Sequence, residues 1–263
     1  MPEPTNLEIA AIDMDDTLLR SDGSVSPRNL AALQQWQRTG RQIVIATGRP
    51  RRSVQPALPA VLGTLPIICY NGAEIHINGR TIYERLIPAD AVRQIVEQAL
   101  TIAPEATIGL EVHGELYLNR VTNRTTPYHV ADLLEVARHP AAKVLLFGDQ
   151  LERLTPLLAS LPSTARALLS ARYRFIQILA EGADKAVALC ELMAAWGRSL
   201  ADVVAFGDDT NDIEMLRISG FGVAMANAVD EVRAVADHIT ATNDEDGVAL
   251  VLERLLMDKT ELA

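Results

Sequence analysis

Cysteine and positive charge are both scarce in this chain, and each shortage argues against a class of protein. Two cysteines occur among 263 residues, Cys69 and Cys190, both within apolar stretches and without metal-ligand spacing. We therefore expect reduced core residues and no cysteine-based metal site. The formal net charge of -10 argues against a nucleic-acid partner, because phosphate backbones are bound by clustered Lys and Arg. An anionic substrate must therefore be bound by a few positively charged residues close to the site.

Long hydrophobic runs are lacking as well. Residues 1–6 carry no basic region followed by an apolar block, and no uninterrupted apolar run approaches the length that spans a membrane. We expect a soluble, cytoplasmic protein with no membrane partner. The hydrophobic share of 49% is ample for a core, and the length suits two domains or one elaborated domain.

Short apolar strands alternate with helices at both ends of the chain. Strands are predicted over 7–12, 41–47, 66–70, 202–206 and 222–225, and helices from Ser26-Pro27 to Gly40 and over 184–196, 212–218, 229–236 and 247–257. The first helix begins with a capping serine followed by proline, and Leu30, Leu33 and Trp36 form its predicted inner stripe. Short β-branched strands separated by helices predict an α/β fold with a doubly wound, mostly parallel sheet.

The middle of the chain has a different pattern. An alternating segment over 74–84 surrounds Asn78-Gly79, a dipeptide that favours a tight hairpin. Beyond it we predict a hairpin over 107–119, helices over 88–100, 132–137 and 149–161, and strands over 143–147, 166–170 and 172–179. This order predicts a separate α+β module, an insertion of roughly a hundred residues in the α/β domain.

A group of carboxylates follows the first predicted strand. Asp13, Asp15 and Asp16 lie within four positions, and buried carboxylates repel one another unless something positive lies among them. A bound divalent cation is the simplest explanation. In an extended chain Asp13 and Asp15 point to the same side, where they could serve as nucleophile and general acid/base. A solvated acidic turn is the alternative.

Two further predicted strands also end in polar clusters. Thr47-Gly48-Arg49 follows one of them, and residues 207–212 follow the other. Because ligands bind outside the carboxyl ends of strands in open α/β sheets, the three clusters can converge. The Thr47 hydroxyl and a close backbone approach at Gly48 suit a phosphate. An ordinary turn between strand and helix is the alternative.

The second of these clusters offers further metal ligands. Asp208 and Asp212 are four residues apart, so a helix that begins between them could present both to one ion. Oxygen ligands of this kind suit magnesium. Helix capping by Asp208 or Asp209 is the alternative. Lys185 begins another predicted helix, where a cation gains nothing from the helix dipole; composition alone favours a solvated lysine there.

Together these segments resemble the haloacid dehalogenase superfamily, and within it the Cof-type phosphatases that carry a large α/β cap. The four family motifs are matched, in order, by 13–18, 47–49, Lys185 and 207–212. Supporting matches lie at Asn71-Gly72-Ala73, 224–228 and 243–249. The resemblance implies a Rossmann-like core formed by 1–83 and 181–263, with an inserted α+β cap domain over 84–180.

The same resemblance implies a magnesium-dependent phosphatase that hydrolyses small phosphomonoesters, such as sugar phosphates, through an aspartyl-phosphate. Asp13 would be the nucleophile and Asp15 the general acid/base. Thr47 and Lys185 would stabilise the transferring phosphoryl group. The implied Mg²⁺ ligands are Asp13, Asp15 through its carbonyl, Asp208 and Asp212. The implied phosphate- and substrate-binding residues are Thr47, Gly48, Arg49, Asn71, Lys185 and Asn211.

Two other functions stay open at this point. A phosphomutase or phosphotransferase would use the same fold and pass the phosphoryl group to another hydroxyl. A noncatalytic phospho-acceptor, like a receiver domain, also combines clustered Asp with magnesium on an α/β sheet. Dehalogenation is disfavoured, since it needs no magnesium and leaves the acidic cluster without a cation. The sequence carries no signal for an oligomeric state.

Overall fold

The computed structural model describes residues 7–147, 154–170 and 175–257. The chain divides into two compact units, Met1–Tyr83 with Asp184–Ala263, and Glu84–Ala183. The second unit begins at the first residue predicted for the inserted domain and ends at 183 rather than 180. Within the described ranges, no helix is long and apolar enough to cross a membrane.

Strands and helices alternate along most of the described chain. The strands are β1 (Ile9–Ile12), β2 (Gln42–Ala46), β3 (Ile67–Cys69), β4 (Glu74–Ile77), β5 (Arg80–Glu84), β6 (Thr107–Val112), β7 (Glu115–Leu118), β8 (His129–Val130), β9 (Lys143–Phe147), β10 (Ala165–Ser170), β11 (Phe175–Ala180), β12 (Val203–Gly207), β13 (Phe221–Ala224) and β14 (His238–Ile239). The helices are α1 (Pro27–Arg38), α2 (Arg51–Val54), α3 (Ala89–Ile102), α4 (Leu133–Val136), α5 (Thr155–Ala159), α6 (Lys185–Trp196), α7 (Ile213–Ile218), α8 (Asp230–Arg233) and α9 (Gly247–Met257).

The first unit is built on an eight-stranded sheet in the order β14-β13-β12-β1-β2-β3-β4-β5. Pairing is parallel from β14 to β3 and antiparallel between β3 and β4. Every residue of β1 and β12 is buried, as expected for parallel strands with both faces covered. The predicted doubly wound α/β fold is confirmed.

Helix α1 shows how the sequence sets the boundaries of an element. The Ser26 side chain accepts a hydrogen bond from the Asn29 backbone N–H at 2.9 Å, and Pro27 occupies the first turn. Leu33 and Trp36 of the predicted stripe are buried. Leu30 is only half-buried, because the helix turns Asn29 inward instead. Asn29 is satisfied there, since its Oδ1 accepts from the Ala249 N–H of α9 at 2.9 Å.

The second unit contains a six-stranded sheet in the order β10-β11-β9-β6-β7-β8. All its pairings are antiparallel except that between β7 and β8. Helix α3 packs with α4 and α5, and α4 contacts β6 and β7. The unit is therefore an α+β module of helices and one antiparallel-rich sheet.

Several predicted boundaries differ from the observed ones. Helix α5 covers Thr155–Ala159, in the second half of the predicted 149–161 segment, and residues 149–153 lie outside the described ranges. Strand β11 begins at Phe175, and 172–174 likewise lie outside those ranges. Helix α8 ends at Arg233 rather than at 236. Strands β8 and β14 were not predicted, because two residues cannot show a period of two.

Candidate active site

The polar clusters meet at one edge of the first unit's sheet. Strand β1 lies between β2 and β12, and Ile12 is in register with Ile45 of β2 and Phe206 of β12. Asp13, Thr47 and Asp208 follow the ends of these three parallel strands. The three clusters that the sequence predicted to converge are thus side by side.

Lys185 lies among the carboxylates. Its Nζ donates to Asp13 Oδ1 at 2.6 Å and to Asp212 Oδ1 at 2.7 Å, and the residue is 0% exposed. The solvated lysine that composition alone favours is therefore wrong. Asp184, whose side chain accepts from the Ala186 N–H at 2.8 Å, caps α6 and fixes where Lys185 begins it.

The segment after β1 turns sharply rather than continuing as a strand. Asp13 has extended backbone angles, but the Leu18 N–H donates to the Asp13 carbonyl at 3.2 Å and Asp16 has φ of 58°. The extended conformation assumed for the acidic segment therefore ends within it. Asp13 is buried, whereas the Asp15 side chain is 42% exposed.

The two carboxylates consequently have different partners. Asp15 is held by Arg49 through two hydrogen bonds, Nε to Oδ2 at 2.9 Å and Nη2 to Oδ1 at 2.5 Å. The Arg49 N–H also donates to the Thr47 hydroxyl at 3.1 Å. A guanidinium fork matches the two oxygens of a carboxylate, and it would match a phosphate equally well.

The turn after β12 brings the Asp212 carboxylate into hydrogen-bonding distance of the Asp208 backbone. Asp212 Oδ2 accepts from the Asp208 and Asp209 N–H groups at 3.1 and 3.2 Å. Gly207 is required there, because a Cβ at that position would lie 2.4 Å from the Asp212 Cβ. Asp209 is the helix cap, with the Thr210 N–H donating to its Oδ1 at 2.7 Å. The capping alternative therefore holds for Asp209 and not for Asp208.

Thr17 is a contributor to which the sequence reasoning gave no role. The Thr17 hydroxyl is fully buried and donates to Asp208 Oδ1 at 2.8 Å. This bond links the first matched motif, 13–18, to the fourth, 207–212. The position of Thr17 within the first matched motif was the available signal. This contact orients the Asp208 carboxylate toward the rest of the cluster.

Asp13, Asp208 and Asp212 fit the donor set of a hard divalent cation. Each offers a carboxylate oxygen, and these atoms lie within 4.8 Å of one another in a buried position. Burial and then the neighbouring charge of Asp212 raise the pKa of Asp208 to about 7. Burial raises the pKa of Asp13 well above its ordinary value despite the opposing charge of Lys185. Three ionised carboxylates and one ammonium leave two negative charges, which a divalent oxygen-loving ion would balance.

The predicted phosphate-binding residues lie at the same edge. Thr47 is buried, and its carbonyl accepts from the Asn71 N–H at 3.0 Å. The Asn71 Oδ1 accepts from the Asn211 amide at 2.9 Å. A Cβ at Gly48 would come within 2.9 Å of the same oxygen, so a larger residue there would displace the Asn71 side chain. Every predicted site residue is thus found in this one region.

The supporting sequence matches near the end of the chain hold the acidic turn in place. Asn227 donates from its amide to the Asp16 carbonyl at 2.8 Å, and its Oδ1 accepts from the Asn243 N–H at 3.0 Å. Asn243 donates in turn to the Leu19 carbonyl at 3.0 Å. These amides fix the backbone that carries Asp13 and Asp15.

The chain is similar to known proteins over most of its length. A model of the haloacid dehalogenase-like hydrolase family matches residues 10–252. The chain is 32% identical to the 5-amino-6-(5-phospho-D-ribitylamino)uracil phosphatase YitU of Bacillus subtilis, over 93% of this chain and 96% of that protein. It is 30% identical to the pyridoxal phosphate phosphatase YbhA of Escherichia coli, over 92% and 96%.

A solved structure is similar over nearly the whole chain. The crystal structure of a haloacid dehalogenase-like hydrolase from Bacteroides thetaiotaomicron superposes with a TM-score of 0.82 at 31% identity, covering 95% of this chain and 99% of that one. The resemblance to Cof-type phosphatases is confirmed, and the protein is an enzyme with phosphatase activity on phosphorylated substrates. The chain belongs to the haloacid dehalogenase-like hydrolase family.

Proposed function

We propose that this chain is a magnesium-dependent phosphatase that hydrolyses small phosphomonoesters, sugar phosphates among them, through an aspartyl-phosphate on Asp13. One observation carries the proposal. A buried carboxylate, Asp13, is hydrogen-bonded to Lys185 within an acidic cluster, while a second carboxylate two residues on, Asp15, remains partly exposed. The two carboxylates thus have different environments and partners, which lets one serve as nucleophile and the other as acid/base.

Magnesium would be held by Asp13, Asp208, Asp212 and the backbone carbonyl of Asp15. When bound, it would offset the repulsion between the Asp13 carboxylate and the phosphoryl oxygens and hold both together. Lys185 stays protonated beside the cluster. Burial alone would lower its pKa, but the charges of Asp13 and Asp212 raise it above its ordinary value.

In the first step an Asp13 carboxylate oxygen attacks phosphorus, and the bond from phosphorus to the ester oxygen breaks. Asp15 gives its proton to that leaving oxygen. Lys185 and the Thr47 hydroxyl stabilise charge on the transferring group. Arg49, Asn71 and Asn211 bind the substrate and Gly48 lets it approach the backbone; an oxyanion that accepts from Arg49 would release Asp15 from its ion pair.

In the second step Asp15 takes a proton from a water molecule, and the oxygen of that water attacks phosphorus. The bond between phosphorus and Asp13 breaks, which returns the free carboxylate and releases inorganic phosphate. The partial exposure of Asp15 lets it exchange protons with solvent, whereas Asp13 is enclosed. Because Asp15 acts as acid in the first step and as base in the second, the nucleophile and the acid/base must be separate groups.

The substrate class is supported by the relatives. YitU and YbhA are named as phosphatases of 5-amino-6-(5-phospho-D-ribitylamino)uracil and of pyridoxal phosphate, which are both small phosphorylated metabolites. We propose the same class here, with residues 84–180 as the inserted cap domain that selects among its members. A cytoplasmic location stays a prediction.

Phosphate release from an aryl phosphate and from a panel of metabolite phosphates, with magnesium or with a chelator, tests the proposal. Asp13→Asn should lower kcat by at least about a thousandfold. Asp15→Asn should lower it by about 10²–10⁴-fold and let the phosphorylated enzyme accumulate. Asp16→Asn is the matched control, because Asn tolerates its positive φ, and it should retain activity.

Two results would replace this proposal. Transfer of the phosphoryl group to a second sugar hydroxyl, with little free phosphate, would indicate a phosphotransferase. A stable phosphorylated protein without turnover would indicate a phospho-acceptor. Unchanged turnover in Asp13→Asn would remove the nucleophile assignment itself.

A further inference from the structure

A second polar feature of the first unit lies away from the acidic cluster. Arg41 immediately precedes β2 and is only 9% exposed. Its guanidinium carbon lies 4.5 Å from the centroid of the Trp36 ring. Its Nη1 is buried and donates to no acceptor in the described part of the chain. Burial lowers the pKa of Arg41, and Glu8 is the carboxylate whose attraction opposes the shift.

A buried guanidinium of this kind needs a partner. Arginine remains charged in proteins, so its N–H groups cannot be relieved by loss of the proton. Buried donors are nearly always satisfied by protein, water or an ion. Glu8 itself is bound by Arg198 at 2.6 Å, which leaves it less able to compensate Arg41.

Arg41 borders a pocket with room for such a partner. The pocket has a volume of about 210 Å³, and Gln37, Gln42 and Thr64 supply polar groups to its wall while Leu65 and Pro66 supply apolar ones. Arg41 is the one charged residue among the described residues that line it. At about 30 Å³ for each water molecule, the volume suits a small anion with part of its hydration shell.

The pocket is separate from the proposed reaction site. Arg41 precedes β2 and Thr47 follows it, and six residues of extended chain span about 20 Å. Arg41 and the acidic cluster therefore lie at opposite edges of the sheet. Water in the pocket would leave the positive charge of Arg41 unbalanced, whereas an anion would balance it.

We propose that this pocket binds a small oxyanion, a carboxylate or phosphate group of a free metabolite, through the guanidinium of Arg41. The fork of N–H donors matches two oxygens of either group. The C-terminal end of α1, which precedes Arg41, carries partial negative charge and works against an anion. Binding therefore depends on Arg41, and its removal weakens the site.

Trp36 provides a direct reporter, because its ring stacks on the guanidinium. The sequence contains two tryptophans, so Trp196→Phe leaves Trp36 as the sole source of tryptophan emission. We would titrate this full-length variant with sodium phosphate and, separately, with malonate, each against sodium chloride at equal ionic strength. The expected result is a saturable change in Trp36 emission with at least one of the two anions.

Arg41→Met in the same background should weaken the apparent affinity at least tenfold. Arg38→Met is the matched control, because Arg38 is an exposed arginine at the end of α1, and it should retain the response. Arg41→Lys keeps the positive charge but lacks the paired N–H donors of a guanidinium, so it should give an intermediate affinity. This variant provides the test if Arg41→Met fails to fold. A response to phosphate alone or to malonate alone supports the proposal and identifies the group.

An equal response in Arg41→Met, or no saturable response to either anion, would overturn the proposal. The readout is emission and not turnover, so it is independent of the proposed phosphatase mechanism. Loss of activity in Asp13→Asn with an intact emission response would leave this site in place. Loss of activity in Asp13→Asn without any saturable emission response would remove the site and leave the phosphatase mechanism untouched.

Discussion

Among the individual residues, Asp208 gives the acidic cluster a defined pH dependence. Its pKa of about 7, raised by burial and then by Asp212, means that the metal-free folded protein holds a proton which the unfolded chain has released above pH 4 or so. Stability of the metal-free protein should therefore fall as pH rises from about 4 to about 7, by up to about 1.4 kcal/mol per pH unit for this proton. Magnesium competes with the same proton and should bind more weakly below about pH 7.

Urea unfolding at pH 5, 6, 7 and 8, with chelator or with magnesium, measures this linkage. With chelator the free energy of unfolding should decrease from pH 5 to about pH 7, and magnesium should recover most of the loss at pH 8. Asp208→Asn should flatten the decrease, leaving the part that Asp13 contributes. An undiminished slope in Asp208→Asn would show that the proton resides elsewhere.

The same residues mark what sequence could predict about the site. Asp13 and Asp208 follow strands, so their convergence was predictable from the rule that strand ends meet at one edge. Lys185 was not predictable from composition, because its burial depends on the packing of α6 against a turn more than a hundred positions earlier in the sequence. The Arg49–Asp15 pair and the Thr17–Asp208 bond depend on rotamers that no local pattern fixes.

Among the elements, the turn between β3 and β4 positions α6. Gly72 has φ of 97°, and a Cβ there would lie 2.1 Å from the carbonyl oxygen of Asp184, the cap of α6. Gly72→Ala should destabilise the protein by roughly 2–5 kcal/mol, through the strained backbone and the clash together. It should also lower kcat, because moving Asp184 moves Lys185.

Gly23→Ala separates these two causes. Gly23 has φ of 81° and nothing within 4 Å of an added Cβ, so only the backbone term of about 1–2 kcal/mol applies. We expect kcat to be unchanged in Gly23→Ala. Equal losses of stability in the two variants, measured by urea unfolding, would show that the contact with Asp184 relaxes freely.

Element boundaries were predictable where a side chain or a turn dipeptide sets them. Helix α1 begins after Ser26, α9 spans the predicted 247–257, and the hairpin of β4 and β5 turns at Asn78-Gly79. The boundaries of β12 and α8 were less predictable, because short 3₁₀ turns and tertiary contacts decide where they begin and end. Asn29 was missed as a core residue since its burial depends on hydrogen bonds to distant backbone.

At the scale of the whole molecule, every matched motif lies in the first unit, and the second unit interrupts it. The chain leaves the first unit after Tyr83 and returns at Asp184. Arg85 Nε donates to the Glu181 carbonyl at 3.0 Å, so the two ends of the inserted unit are adjacent. The interruption was predictable because the alternation of short strands with helices stops after the third strand and resumes beyond Gly182.

This closeness predicts that residues 84–183 can be replaced by a short Gly-Ser linker without unfolding the rest. The shortened chain keeps the eight-stranded sheet, Asp13, Lys185, Asp208 and Asp212, so magnesium should still raise its melting temperature. Circular dichroism and thermal unfolding with and without magnesium measure this, and Asp208→Asn in the same shortened chain should weaken the response. Residues 84–183 expressed alone should unfold cooperatively and show no magnesium effect. A shortened chain without a cooperative transition would mean that the first unit, although it has its own sheet, depends on the second for its stability.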